Sequence, residues 1–218
     1  MNKKYELTDE TKEIGGITLH RIRALRNIPR YGVKSGDLGG WIEAESNLSQ
    51  YGEAWVRGEA WVCDDARVCD NALVCDNASV CGNARVSGDA SVSGNASVSG
   101  NARVGNNASV SGNASVCGNA IVYKEADYIT FKNTWSSGRY FTYTCSNKMW
   151  RVGCFYGNGE ELIKKAYADS ELSGKCYEAI VRAVETIEAA KAEANNPVNL
   201  VNPLPTTSNQ PNKEKTND

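Results

Sequence analysis

The run Val80-Cys-Gly-Asn-Ala-Arg-Val86-Ser-Gly-Asp-Ala-Ser-Val92-Ser-Gly-Asn-Ala-Ser-Val98 repeats every six residues, and that period decides the architecture. Followed outward, Val recurs at 56, 62, 68, 74, 80, 86, 92, 98, 104, 110, 116 and 122, with Ala four residues after each, from Ala60 to Ala126. Self-similarity sustained over so many registers overrides local propensity. In Ala-x-Val-x, alternate side chains share one side of a strand, so Ala and Val point inward and the residues around Val point outward. The Gly-Asn or Asp-Asn pair that follows suits a sharp corner, because Gly, Asn and Asp accept positive φ. A short strand and a corner every six residues make a prism. With three sides per turn each coil takes 18 residues and hydrogen-bonds to the next at about 4.8 Å. Small Ala and medium Val fill a narrow interior that larger residues would overpack.

The pattern reaches back further. Ile42-Glu-Ala-Glu-Ser-Asn fits it, Leu48 follows six residues later, and the eight residues from Leu48 to Val56 place a two-residue insertion at the corner near Gln50-Tyr51. The rod therefore spans residues 42–127, about 14 hexads in about 4–5 coils. This motif resembles that of hexapeptide-repeat proteins, and the resemblance implies a left-handed parallel β-helix. Gly36-Asp-Leu-Gly-Gly-Trp-Ile-Glu, Asn47-Leu-Ser-Gln, the repeat start Ala54-Trp55-Val56 and Trp150-Arg-Val-Gly-Cys-Phe-Tyr-Gly-Asn-Gly-Glu-Glu-Leu look like segments of phage- and prophage-encoded hexapeptide-repeat proteins. That likeness implies a phage or prophage product in the cytoplasm of a bacterial host, and it brings no established activity.

A solenoid exposes strand edges at both ends and needs caps. Residues 1–41 form the N-terminal cap, in which Ile17-Thr-Leu-His-Arg-Ile alternates like a strand and Tyr31-Gly and Gly39-Gly40 read as turns. Trp55, Trp61 and Leu73 occupy outward positions near this end, so that surface is covered, either by the N-terminal segment or by another subunit. Residues 128–194 form a C-terminal α+β module: strands at 128–131 and 139–145, a turn at 146–148, and a hairpin partner at 149–155. Asn158 is placed to cap a short helix opened by Glu160-Glu161. A second helix over 173–194 carries Tyr177, Ile180, Val181, Val184 and Ile187 on one stripe, which either docks on the rod's end or meets a second copy in a homo-oligomer. Residues 195–218 have the composition of a disordered tail.

Composition narrows the chemistry. Charge is nearly balanced, 24 Lys+Arg against 26 Asp+Glu, so no strong overall field draws in nucleic acid or anionic membrane. No apolar run approaches the roughly 18 residues of a membrane span, and the N-terminus lacks a secretory signal. Without such a signal, the eight cysteines read as thiols of a reducing cytoplasm. Cys63, Cys69, Cys75, Cys81 and Cys117 follow Val and read as Ser substitutes. Cys63 and Cys81 stack one coil apart, within disulfide reach. No face gathers four ligands and no Cys-x-x-Cys occurs, so neither metal nor cofactor is expected. Acyltransferases of this architecture use a histidine base with a pKa near 7. The single histidine, His20, lies outside the repeats, which also lack a long loop to roof an acyl donor.

The expected function is a non-enzymatic binding or structural role, in which the rod presents a flat face or its terminal module to a host or phage protein. Interference with host defence is a role the family's setting suggests. Arg67, Arg85 and Arg103 stack 18 residues apart on one outward face, as a candidate site for an anionic ligand, a nucleotide or an acidic protein surface. Tyr140, Tyr143, Trp150 and Tyr156 are the candidate contacts of the terminal module. The alternatives are an acetyl-CoA-dependent acyltransferase and nucleotide or nucleic-acid capture on the Arg face.

Overall fold

A computed structural model describes residues 3–194. The tail expected over 195–218 lies outside the described residues. The chain is mainly β: a parallel β-solenoid of about five turns carries a sheet extension at its start and an antiparallel sheet with two helices at its end. Among the described residues no helix is long and apolar enough to cross a membrane.

Strands β1 (Tyr5–Ile14), β2 (Ile17–Ala24) and β3 (Leu38–Ile42) precede twelve two-residue strands, β4 (Trp55–Val56) to β15 (Ile121–Val122), each ending on a repeat valine. They sort into three parallel sheets, one per side of the prism, with in-register partners such as Val62 with Val80, Val74 with Val92 and Val86 with Val104. The inferred inward set is confirmed: the valines from Val56 to Val122 and the alanines from Ala54 to Ala120 are 0–1 % exposed. Ala126 departs from it, being exposed in the turn Glu125–Asp127 that ends the rod. Ile42 pairs with Val62 and Leu48 bridges Val68, both 20 residues apart, so the insertion expected at Gln50-Tyr51 sits between them, with Tyr51 exposed.

The N-terminal segment covers the outward tryptophans. Tyr5 meets Trp55 edge-on at 6.4 Å, and Leu19 and Trp41 bury Cys63, with Trp61 packed against them. Strand β1 was hidden by its polar sequence; it pairs antiparallel with β2 around Gly15-Gly16. Gly39 and Gly40 form no turn. They lie buried in β3, where a Cβ on Gly39 would stand 2.5 Å from Ile22 and one on Gly40 2.6 Å from the Ala60 carbonyl. Close approach of neighbouring strands, not chain reversal, requires glycine there.

Outside the strand pairs, the backbone-to-backbone hydrogen bonds between coils run one way, from an N–H to a carbonyl of the following coil, as in Trp55 to Ala72 and Arg85 to Ala102. The first coil is therefore left with bare carbonyls along these segments and the last with bare N–H groups, and the caps match. Donors serve the start: Lys4 Nζ reaches Ala54 O at 2.7 Å, Tyr5 Oη reaches Leu48 O at 2.7 Å, and Asn47 Nδ2 reaches Asp64 O and Ala66 O at 2.8 and 2.9 Å. Lys4 is fully buried, and desolvation, helped by Arg26, lowers its pKa to about 8. Acceptors serve the end: Thr142 Oγ1 takes Ser115 N at 2.8 Å, Ser146 Oγ takes Ile121 N at 2.7 Å, and Asp127 Oδ2 takes Tyr123 N and Lys124 N at 2.8 and 3.0 Å.

The terminal module is a four-stranded antiparallel sheet, β16 (Tyr128–Lys132), β17 (Tyr140–Thr144), β18 (Met149–Val152) and β19 (Phe155–Gly157), backed by α1 (Gly159–Asp169) and α2 (Glu171–Ala194). The segment expected as one strand over 149–155 breaks at Gly153, whose φ is +57°, into β18 and β19. Asn158 caps α1 as anticipated, accepting from Glu161 N at 2.9 Å while Glu161 accepts from Asn158 N at 3.0 Å. The α2 stripe docks on its own module: Val181 and Val184 are buried with Phe141, Trp150 and Leu162, and Ile187 is left 41 % exposed.

Candidate functional site

Strands Arg67–Val68, Arg85–Val86 and Arg103–Val104 stack in register, so their valines enter the core and their arginines project from the opposite side of the same ribbons. All three arginines are exposed, and Ile121 continues the column. Among the described residues none of the three makes an ion pair; Arg85 Nη2 donates to Cys69 Sγ at 3.4 Å. Burial raises the Cys69 pKa and the Arg85 guanidinium opposes that rise. In-register like charges repel by about a few tenths of a kcal/mol, and no carboxylate among the described residues offsets that repulsion on this face.

At its N-terminal edge the ladder borders a groove of about 250 Å³ lined by Ser46, Ser49, Arg67, Val68, Cys69 and Arg85. The serines come from the short turn Glu45–Asn47 and the residue after Leu48, fixed by the Asn47 hydrogen bonds to Asp64 O and Ala66 O. Two guanidiniums and two hydroxyls around a small depression form a donor set suited to phosphate or carboxylate oxygens. Sequence reasoning found the arginines and missed the serines, because the corner insertion puts Leu48 20 residues, not 18, before its partner Val68. A larger groove of about 420 Å³ lies between the rod's end and α2, but Lys191 and Glu188 there pair with each other at 3.0 Å.

The terminal-module candidates fall elsewhere. Tyr143 and Trp150, 6 % and 2 % exposed, sit in the module core with ring centroids 5.0 Å apart. Tyr143 Oη is further confined, its pKa raised to about 12 by burial and by Glu188. These two rings are packing residues and offer no outer surface. Tyr140 is half-buried, with Lys132 Nζ 5.8 Å from its ring. Tyr156 is 38 % exposed, but its hydroxyl lies against the Gly118 corner of the rod and accepts from Asn147 Nδ2 of its own module at 3.2 Å. None of the four approaches the Arg column closely enough to share a hydrogen bond with it.

His20 is half-buried in β2 opposite Ile42 and Thr11. The post-valine cysteines are less open than their outward register implies: Cys63, Cys75 and Cys117 are 1, 5 and 9 % exposed, and Cys69 and Cys81 are half-buried. Cys63 is roofed by the N-terminal strands. In the terminal module Cys145 and Cys176 are half-buried, while Cys154 is exposed in the turn between β18 and β19.

The family model of the YdcK beta solenoid repeat matches residues 78–94, just under one coil in the middle of the rod. The match and the fold agree on a repeat β-solenoid. No curated protein gives a significant match to the chain.

Proposed function

We propose that this chain is a non-enzymatic binding protein whose rod offers the Arg67–Arg85–Arg103 face to the acidic surface of a protein partner. The observation that supports the reading is an exposed ladder of three guanidiniums without a carboxylate among the described residues to neutralise it. Serine fills the corresponding outward position on most other strands of the rod's middle, so the fold itself has no need of arginine there. A flat, regular ribbon gives such a ladder rigid spacing, and multidentate pairing with carboxylates then costs little ordering entropy. The resemblance to phage-encoded repeat proteins supports a partner from a bacterial host or from the phage itself, with blocking of a host defence component as its role. Self-assembly through the same rod is compatible with this reading.

The test is affinity capture from bacterial lysate with the full chain and with an Arg67→Ala, Arg85→Ala, Arg103→Ala variant. The variant should melt at or slightly above the parent temperature, because repulsion is relieved, yet lose the captured protein. Equal capture by both would sink the proposal. A second reading, a small phosphate-bearing ligand, is favoured by the serine-lined groove. Calorimetry with a nucleoside diphosphate would then give saturable binding that Arg67→Ala alone removes. Saturable micromolar binding of acetyl-CoA, lost in His20→Ala, would instead support an acyltransferase.

A further inference from the structure

We propose that Cys63, Asp64 and Cys81 form a binding site for a borderline-soft divalent cation of the zinc class, which staples two successive coils beneath the N-terminal strands. The two sulfurs and a carboxylate oxygen lie within 4.8 Å of one another. A tetrahedral zinc ion holds such donors about 3.5–3.8 Å apart, given bonds of about 2.3 Å to sulfur and 2.0 Å to oxygen. Small rotations about the Cys and Asp side-chain bonds close the difference.

Several independent features converge here. Cys63 and Cys81 occupy the same column one coil apart, because Val62 pairs in register with Val80. Cys63 is 1 % exposed under Leu19 and Trp41, Cys81 is half-buried, and Asp64 opens to solvent, so the site has a dry floor and a wet edge through which an ion enters. Asp64 is held in the left-handed region at φ +54°, and its Oδ2 accepts from Gly82 N at 2.8 Å, which orients the carboxylate beside the thiols.

The neighbouring corners supply the control. Asp70 and Asp76 make the same bond to the next coil, to Gly88 N at 3.0 Å and Gly94 N at 2.9 Å, and each also follows a cysteine. There, however, Cys69 faces Arg85 and Cys75 faces Arg57, and the next residue in each column is a serine. A guanidinium repels a metal ion, and one sulfur with one carboxylate does not hold it. Around Cys63 the charged neighbours are Asp64 and Glu43, whose Oε2 accepts from Asp64 N at 2.6 Å, so the local field is negative. On binding, the two thiols release two protons to solvent, two thiolates and one carboxylate ligate the ion, and water at the exposed edge completes the tetrahedron. Counting whole faces for four ligands hides this trio, because Asp64 belongs to a corner and not to a face column.

The experiment is a cobalt(II) titration of the reduced, chelator-treated full chain, followed by zinc displacement. One equivalent should produce thiolate-to-metal charge-transfer absorption that zinc abolishes. Cys81→Ser and Cys63→Ser should lose that absorption, while Cys75→Ser keeps it. Asp64→Asn, which retains an acceptor for Gly82 N and tolerates positive φ, should melt like the parent yet bind at least about tenfold more weakly. Absence of the thiolate band overturns the proposal, as does a band that survives in Cys81→Ser. Formation of a Cys63–Cys81 disulfide in air by a chain that gives no such band would identify a redox pair and overturn it equally.

Discussion

Gly94 shows how much one corner residue decides. Its φ is +68°, and a Cβ added there would stand 3.0 Å from both N and O of Gly112 on the next coil. Asp76, one coil earlier at the same corner, has φ +61° and repays its own strain by accepting from Gly94 N at 2.9 Å. Side-chain chemistry, and not size alone, therefore sets the tolerance of this position. Gly94→Ala should cost about 1–2 kcal/mol, the usual penalty of left-handed backbone for a residue with no compensating bond. Gly94→Asp should cost about half of that or less, because its carboxylate can take Gly112 N. Urea unfolding midpoints of the two variants check the claim, and equal losses would refute it. The corner pairs Gly-Asn and Asp-Asn were readable in the sequence for this reason: few residues satisfy both the dihedral and the hydrogen bond.

Between single corners and the whole rod stand the capping elements, and here polarity organises the structure. Along the corners and strand flanks the backbone-to-backbone bonds point N–H groups toward the C-terminal end, so Lys4, Tyr5 and Asn47 donate at one end while Thr142, Ser146 and Asp127 accept at the other. Thr142 is 1 % exposed, and replacing it with the isosteric valine preserves packing while leaving Ser115 N without its partner. Thr142→Val should destabilise the chain by about 1–3 kcal/mol, the penalty for an orphaned donor in a poorly solvated site. Amide exchange at Ser115 should quicken in the same variant. Unchanged exchange there would mean that solvent, not the hydroxyl, satisfies the last coil. The sequence announced that caps exist and where they begin, but their donor and acceptor sorting was not legible, since it depends on which backbone groups the last coil leaves bare.

For the molecule as a whole, the narrow Val and Ala core is continuous from Ile42 to Val122, so no coil is independent of its neighbours. Val92 lies near the middle, fully buried. Val92→Asp places a carboxylate where neither water nor a counter-charge reaches it, a loss of several kcal/mol. Cooperative thermal unfolding should disappear in this variant; a melt indistinguishable from the parent would contradict the core assignment. The same rigidity fixes the spacing of Arg67, Arg85 and Arg103 on one face and of Cys63 and Cys81 on another.

The amino-acid sequence determined the inward face of the rod by itself: a six-residue period alternates buried and exposed positions, and any other register puts valine in water. It also placed the Arg column, because positions 18 apart must stack, and the capping box at Asn158, because both partners lie within one helical turn. Tertiary structure alone decided what sits over those local patterns. Trp150 and Tyr143 became core when α2 folded onto its own sheet, Gly39 and Gly40 became strand residues when β3 was pressed against Ile22 and the first coil, and Asp64 joined Cys63 and Cys81 only when two coils met at a corner. Period carries information about contacts between repeats; contacts made by non-repeating segments depend on where the chain returns, and no local spacing encodes that.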